Sequence, residues 1–235
     1  MDLWHVKATK ALTDFMQNTL AIEKINFTGS ILDQNSLDIF SDVDMEIFLQ
    51  ENSNFNIKKY IQILSEEFSI FGYEIYSHEN HDLLRVCFET GWRFDISLFY
   101  KKKESLQVEN FTDKIACVIN QFWFMSFMIL VKFGRNDFLV ATHLALELCQ
   151  LIIVIQMLLR DNTKKTNVHR FGNKENVPIF VSLLSINNND CLSDSILNVL
   201  FLAAEYMDKA SESLDLGYTH RSDKLKAIYQ GLTTP

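Results

Sequence analysis

Asp42 and Asp44 stand two residues apart in the run Ser41-Asp42-Val43-Asp44, where a polar stretch gives way to alternating apolar and polar residues. At the start of a strand, that spacing sends both carboxylates to one face. Two close carboxylates repel unless a cation sits between them. A hard divalent ion, usually Mg²⁺, satisfies both and can still take oxygens from a phosphate. Asp95 has the same parity in a later alternating run whose other face is strongly apolar. If the two strands are neighbours, three carboxylates converge over one sheet face. Metal-assisted phosphoryl transfer needs that layout: ions that activate an attacking oxygen and stabilise a leaving phosphate. Gly29-Ser30 precedes the pair. Glycine lets a backbone approach a phosphate closely, and Ser30 offers a hydroxyl and an N–H at a possible helix start. Each motif alone is an ordinary cap or turn; their combination at this spacing points to a site.

The elements that must position these groups can be read from periodicity. Leu3 to about Ala21 has helical spacing, and Ile22–Phe27 is a short β-prone run ending at Gly29-Ser30. Val43–Leu49 alternates, with Val43, Met45, Ile47 and Leu49 on one face and Asp44, Glu46 and Phe48 on the other. Asn56–Phe71 reads as a helix, Tyr73–His78 and Leu83–Phe88 as strands. Glu89-Thr90-Gly91 reads as a tight turn. Trp92–Tyr100 alternates again, with Arg93, Asp95, Ser97 and Phe99 on one face. The charged run Lys101-Lys102-Lys103-Glu104 reads as a solvated linker. Beyond it Phe111–Phe133, Asp137–Arg160, Leu192 to about Leu214 and Arg221–Gln230 read as helices, with loops at Asn162–Asn176 and Ile186–Asp190. The expected class is α+β: a small mixed-sheet domain over residues 1–103, then an all-α bundle over 104–235.

The helical half adds candidates. His143, Glu147 and Gln150, spaced i, i+4, i+7, share a helix face. Two readings stand: a His–Glu pair or thin solvent face, and the wall of a pocket for ammonium and hydroxyl groups. Asp137 and Glu147 are alternative general bases. Lys132 and Arg135 could reach phosphate oxygens, although exposed basic side chains more often serve solubility. Thr166–Gly172 combines His, Arg and Gly in a loop that could fold over a nucleotide. Phe122 and Trp123 read as core.

Composition narrows the classes. The chain has 235 residues, 48% hydrophobic and 22% charged, with net charge −8. An acidic chain binds nucleic acid poorly and suits a small cationic substrate. Four cysteines without a C-x-x-C pair read as reduced thiols in a cytoplasmic protein. Met1–Ala21 lacks the pattern of a signal peptide. Phe122–Val131 is too short to span a bilayer. Phe138–Leu159 is long enough, but holds His143, Glu147, Gln150 and Gln156, so buried core helices are expected and no membrane partner.

Gly29-Ser30, Ser41-Asp42-Val43-Asp44 and Arg93-Phe94-Asp95 together resemble the signature of the polymerase-β-like nucleotidyltransferase superfamily, over about residues 27–100. Phe122-Trp123, the run Val131-Lys132-Phe133-Gly134-Arg135-Asn136-Asp137-Phe138-Leu139, and Ala141 are similar to the C-terminal helical segment of bacterial aminoglycoside 6-adenylyltransferases. Those enzymes move AMP from ATP to a streptomycin hydroxyl. This chain is shorter than a typical member and compact between Asp44 and Asp95, which leaves the acceptor open. The resemblance implies that Asp42 and Asp44 ligate Mg²⁺ and bridge to ATP, and that Gly29 and Ser30 contact the β- and γ-phosphates. Ser41 and Lys132 join the nucleotide-contacting set, and Asp95 is either a third metal ligand or the base. Asp137, His143 and Glu147 are the expected substrate contacts, with ATP–Mg²⁺ in a cleft between the domains. Two rivals are an antitoxin-type enzyme that modifies a partner protein and an inactive nucleotide-binding module. The long helical half speaks against the first, the three aspartates against the second. The charge and the lack of an evident basic stripe speak against a nucleic-acid polymerase.

Overall fold

A computed structural model describes residues 4–32, 37–51, 53–100, 111–164, 192–214 and 219–233. The chain is α+β and divides into two compact units, Met1–Val108 and Glu109–Pro235.

The first unit is a five-stranded mixed sheet with two helices. Its elements are α1 (Trp4–Thr19), β1 (Ile22–Thr28), a 3₁₀ turn (Gly29–Leu32), β2 (Val43–Leu49), α2 (Ile57–Glu67), β3 (Ile70–Ser77), β4 (His81–Phe88) and β5 (Arg93–Phe99). Strand order is β1-β2-β5-β4-β3. The β2–β5 pair is parallel and the other pairs are antiparallel. Alternation puts Val43, Met45, Ile47 and Leu49 of β2 and Phe94, Ile96 and Leu98 of β5 on one face. There they join Leu84, Val86 and Phe88 of β4. Ala8, Leu12 and Met16 of α1 and Ile57, Tyr60, Ile61 and Leu64 of α2 complete this core. Burying each large side chain contributes about 1.5–3 kcal/mol, which fixes strand register because a one-residue slip would turn every such group outward.

The helix expected over Asn56–Phe71 is shorter at both ends. Asn56 is its N-cap, accepting from the Lys59 N–H at 3.1 Å. The helix stops at Glu67 because Ile70 pairs with Phe88 and Gly72 with Cys87; strand pairing overrides helical spacing there. The β4–β5 turn follows expectation: Gly91 has φ 89° and its N–H donates to the Phe88 carbonyl at 2.9 Å.

The second unit contains, among the described residues, α3 (Phe111–Gly134), α4 (Phe138–Lys164), α5 (Leu192–Glu212) and α6 (Ser222–Thr233). Asn162–Lys164, expected as loop, is the last turn of α4. Asn136, at φ 60°, turns the chain between α3 and α4, a conformation asparagine tolerates. Asp208 of α5 is buried and accepts from the backbone N–H groups of Arg221 and Ser222, both at 3.0 Å, so it caps α6. Phe122 and Trp123 are fully buried, as expected of core residues. Both α3 and α4 are long and apolar enough to cross a bilayer. The expectation of buried core helices holds for the middle of α3 and only for one stripe of α4. There Ala141, Ala145, Leu148, Ile152 and Ile155 are buried, while Leu139, Leu146, Ile153 and Val154 are exposed. At 3.6 residues per turn, one stripe of α4 is buried and another is exposed.

Candidate active site

The site is built on the sheet face opposite that core. Asp44 of β2 and Asp95 of β5 are direct partners in the parallel ladder. The conditional drawn from parity is therefore met: the strands are neighbours, and their carboxylates leave the same face. Asp42 lies one residue before β2, in the loop that delivers the chain to the strand.

That loop is held from several sides. The Asp38 carboxylate accepts from the Phe40 N–H and the Ser41 hydroxyl, both at 2.9 Å. Arg93, buried, donates from Nη2 to the carbonyls of Ile39 and Ser41, both at 2.9 Å, and from Nη1 to Gly91 at 3.1 Å. His5 Nε2 donates to the Ser41 carbonyl at 3.0 Å, and Trp4 Nε1 to that of Ile39 at 3.2 Å. Burial lowers the His5 pKa. Ser41, expected to contact nucleotide, is itself buried with its hydroxyl turned to Asp38. Its visible role is to shape the approach to Asp42.

Gly29 stands against the carboxylate of Asp44. Its φ is +70°, and a Cβ there would collide with Asp44 Oδ2 and lie 3.1 Å from Cγ. Only glycine gives both this backbone turn and this approach. Thr28, just before it, pairs with Asp44 across the β1–β2 ladder. Ser30 follows in the 3₁₀ turn, half-buried.

The electrostatics are those of a crowded acidic site. Burial first, then the charges of Asp42 and Asp95, push the Asp44 carboxyl up to about 6, with Arg85 pulling the other way. Burial also raises Asp95, against the opposing pull of Arg85. Arg85 of β4 is the ladder partner of Asp95, and its Nε donates to Asp95 Oδ2 at 3.0 Å. On its other side, Arg85 Nη1 is 3.8 Å from Glu74 Oε2, which also accepts from the Tyr76 hydroxyl at 3.0 Å.

The donor set suits a hard divalent ion: carboxylate oxygens, a carboxyl raised by burial and then by its like-charged neighbours, and a glycine keeping the space beside it clear. Among the described residues no three His, Cys, Asp or Glu side chains are grouped to hold a metal ion. Of the expected set Asp42, Asp44 and Asp95, Asp95 is bonded to Arg85 through Oδ2.

The helical candidates are placed differently. Asp137 caps α4, accepting from the Val140 N–H at 3.3 Å. His143 Nε2 lies 3.6 Å from Glu147 Oε1, with both side chains exposed. Lys132 is in the last turn of α3, where a cation suits the helix dipole. Thr166–Gly172 lies outside the described residues.

The sequence reading missed Arg85, Arg93 and His5 as site-building groups. Arg85 could have been found as the single charge in the run Leu83–Phe88, at the parity of Asp95. Nothing local marks His5, which meets Ser41 only through the fold.

No protein-family model matches this chain, and no curated protein does. A solved structure, an aminoglycoside 6-adenyltransferase from Bacillus subtilis, is similar over 95% of this chain and 96% of that one, with 15% identity and a TM-score of 0.43.

Proposed function

We propose that this protein is a nucleotidyltransferase that transfers AMP from ATP to a hydroxyl of a small molecule, an aminoglycoside-type antibiotic being the acceptor class. The observation that carries the reading is the in-register pairing of Asp44 with Asp95, with Gly29 pressed against Asp44. Asp42 and Asp44 would hold Mg²⁺. When bound, the ion supplies charge stabilisation for the phosphates, completing its oxygen shell from water and nucleotide.

The chain's own groups do the rest. Arg93, His5 and Trp4 hold the 38–41 loop so that Asp42 enters beside β2 without side-chain search, the positional advantage that makes attack effectively intramolecular. Gly29 and Ser30 approach the β- and γ-phosphates of ATP. Asp95, raised by burial, accepts the acceptor hydroxyl's proton at the oxygen not bonded to Arg85 Nε. The hydroxyl oxygen attacks the α-phosphorus in line. A new O–P bond forms, the bond to the bridging oxygen breaks, and pyrophosphate leaves. The net charge of −8 and the resemblance at residues 122–141 support a cationic antibiotic as acceptor.

The test is incubation with α-labelled ATP, Mg²⁺ and a panel of aminoglycosides and lincosamides, repeated with Asp42→Ala and Asp44→Ala. Labelled antibiotic is expected with wild type, and at least about a thousandfold less with either variant. Label on a co-expressed protein in place of any antibiotic would replace the acceptor class. Undiminished transfer by Asp42→Ala would remove the site.

A further inference from the structure

Helices α3 and α4 are both long and apolar, but α4 is much the less buried. Its exposed positions fall on one line: Leu139, His143, Leu146, Gln150 and Ile153, at steps of four, three, four and three, with Val154 beside its end. At 3.6 residues per turn those steps keep to one face, opposite the side that buries Ala141, Leu148 and Ile155. Leu139 is 83% exposed and Leu146 60%, so the line is not the margin of the core. It runs about 22 Å along the helix. Apolar side chains grouped in this way on a surface mark an interaction site, whereas scattered ones do not.

The order along the line is apolar, polar, apolar, polar, apolar, which reads the same in both directions. A second copy of α4, laid antiparallel about a two-fold axis at Leu146, therefore meets it type for type. Leu139 of one copy faces Ile153 of the other, Leu146 faces Leu146, and His143 comes level with Gln150 to within one residue's rise of about 1.5 Å. A glutamine amide both donates and accepts, so it pairs with either tautomer of the imidazole. An isologous two-fold interface requires such self-complementarity, and opposed helix dipoles favour the antiparallel sense. Glu147 stands beside the line near the axis with His143 of its own helix at 3.6 Å, so each of the two approaching carboxylates keeps a local partner. A bilayer is the poorer occupant. It would take up His143, Glu147 and Gln150 at a cost, and the net charge of −8 opposes an anionic surface. We infer that α4 is a self-association surface through which two copies of this protein form an antiparallel two-fold dimer. The inference stands apart from the nucleotidyltransferase reading. A strip of this length on both copies buries about 1,000 Å², the lower edge of specific interfaces, so association falls in the micromolar range.

The experiment is sedimentation equilibrium of the full chain at concentrations up to about 100 µM, well above a micromolar constant. Wild type should approach twice the mass of one chain. Leu146→Glu and Leu146→Lys should each weaken association at least about tenfold, since like charges then meet on the axis. An equimolar mixture of the two should recover the dimer, because unlike charges meet there. Val6→Glu, the same charge change at an exposed apolar residue of α1, should stay within about twofold of wild type. A wild type that keeps the mass of one chain overturns the inference. If that protein floats with anionic vesicles, a bilayer takes the line; if it does not, and Leu146→Glu lowers the melting temperature, the line is covered within one chain. Association that survives both Leu146 variants overturns it too, by placing the contact elsewhere. So does a mixture no heavier than its parts, which removes the two-fold at Leu146, or an equal loss in Val6→Glu, which marks net charge as the cause. Should a Leu146 variant fail to fold, the wild-type mass and a tenfold weakening by Leu139→Lys decide in its place.

Discussion

The sheet unit and the helical unit bury apolar surface by different rules, and the rule decides where charged side chains can gather. In the sheet, a period of two gives β2 and β5 one face committed to core and one free of it. Asp44, Asp95 and Arg85 can therefore stand side by side at a ladder spacing of about 5 Å while Met45, Ile96 and Val86 stay buried. In the helices, polar groups are dispersed along rods. Asp137 caps α4, Asp208 caps α6, and His143 pairs with Glu147 in solvent. Adjacent strands concentrate charge, whereas helices spread it, and concentrated charge is what shifts a carboxyl's proton affinity.

The sharpest test of that contrast is Gly29→Ala against Gly91→Ala. Both glycines have positive φ, but a Cβ at Gly91 meets nothing within 4 Å while at Gly29 it meets Asp44. We expect Gly91→Ala to cost about 1 kcal/mol in denaturant unfolding. Gly29→Ala should cost more and reduce transfer by about a hundredfold through displacement of Asp44. Equal effects at the two positions would deny Gly29 its special place.

Asp208→Ala probes the other region. It leaves two backbone N–H groups of α6 without their acceptor and should cost about 1–3 kcal/mol by calorimetry. The transfer rate per folded molecule should stay within about twofold of wild type. A large catalytic loss would mean that the helical unit carries chemistry after all.

The pH dependence follows from the sign of the Asp44 shift. The folded protein holds its proton up to about 6, whereas an unfolded chain releases it near the ordinary carboxylate value. Between those values the folded state binds more protons, so stability falls as pH rises through that window. Without divalent ions the melting temperature should drop by about 2–4 °C across it, and Asp44→Asn should remove the drop. The smallest effect belongs to His143→Ala, expected within about 0.5 kcal/mol because the pair it breaks is exposed.

Much of the sheet unit was legible before its coordinates. The limits of β2 follow from strict alternation over Val43–Leu49, and the parity of Asp44 and Asp95 assigned them to one face. Register was not legible, because parity says which face a residue joins but not which residue it meets. That Asp95 meets Asp44 on one side and Arg85 on the other needed the strand order. The Ile70 boundary was misplaced because Phe68 and Phe71 satisfy a helical stripe as well as a strand. On α4, His143, Glu147 and Gln150 marked a polar face, but the apolar Leu139, Leu146, Ile153 and Val154 gave no sign that they too are exposed.

The strand order also has a consequence for how the molecule comes into being. β5 is the last strand made in its unit, yet it lies between β2 and β4. The β3–β4 hairpin can close locally, and β1 can find β2 early, but the parallel seam between them waits for β5 to insert. Pairings so distant in sequence close slowly, since the loop entropy is lost before the contacts repay it. Asp44 and Asp95 are thus kept apart until the final step of sheet assembly. A nascent chain released before β5 emerges would hold two separate ribbons, with Asp44 on one, Arg85 on the other and no Asp95 between them.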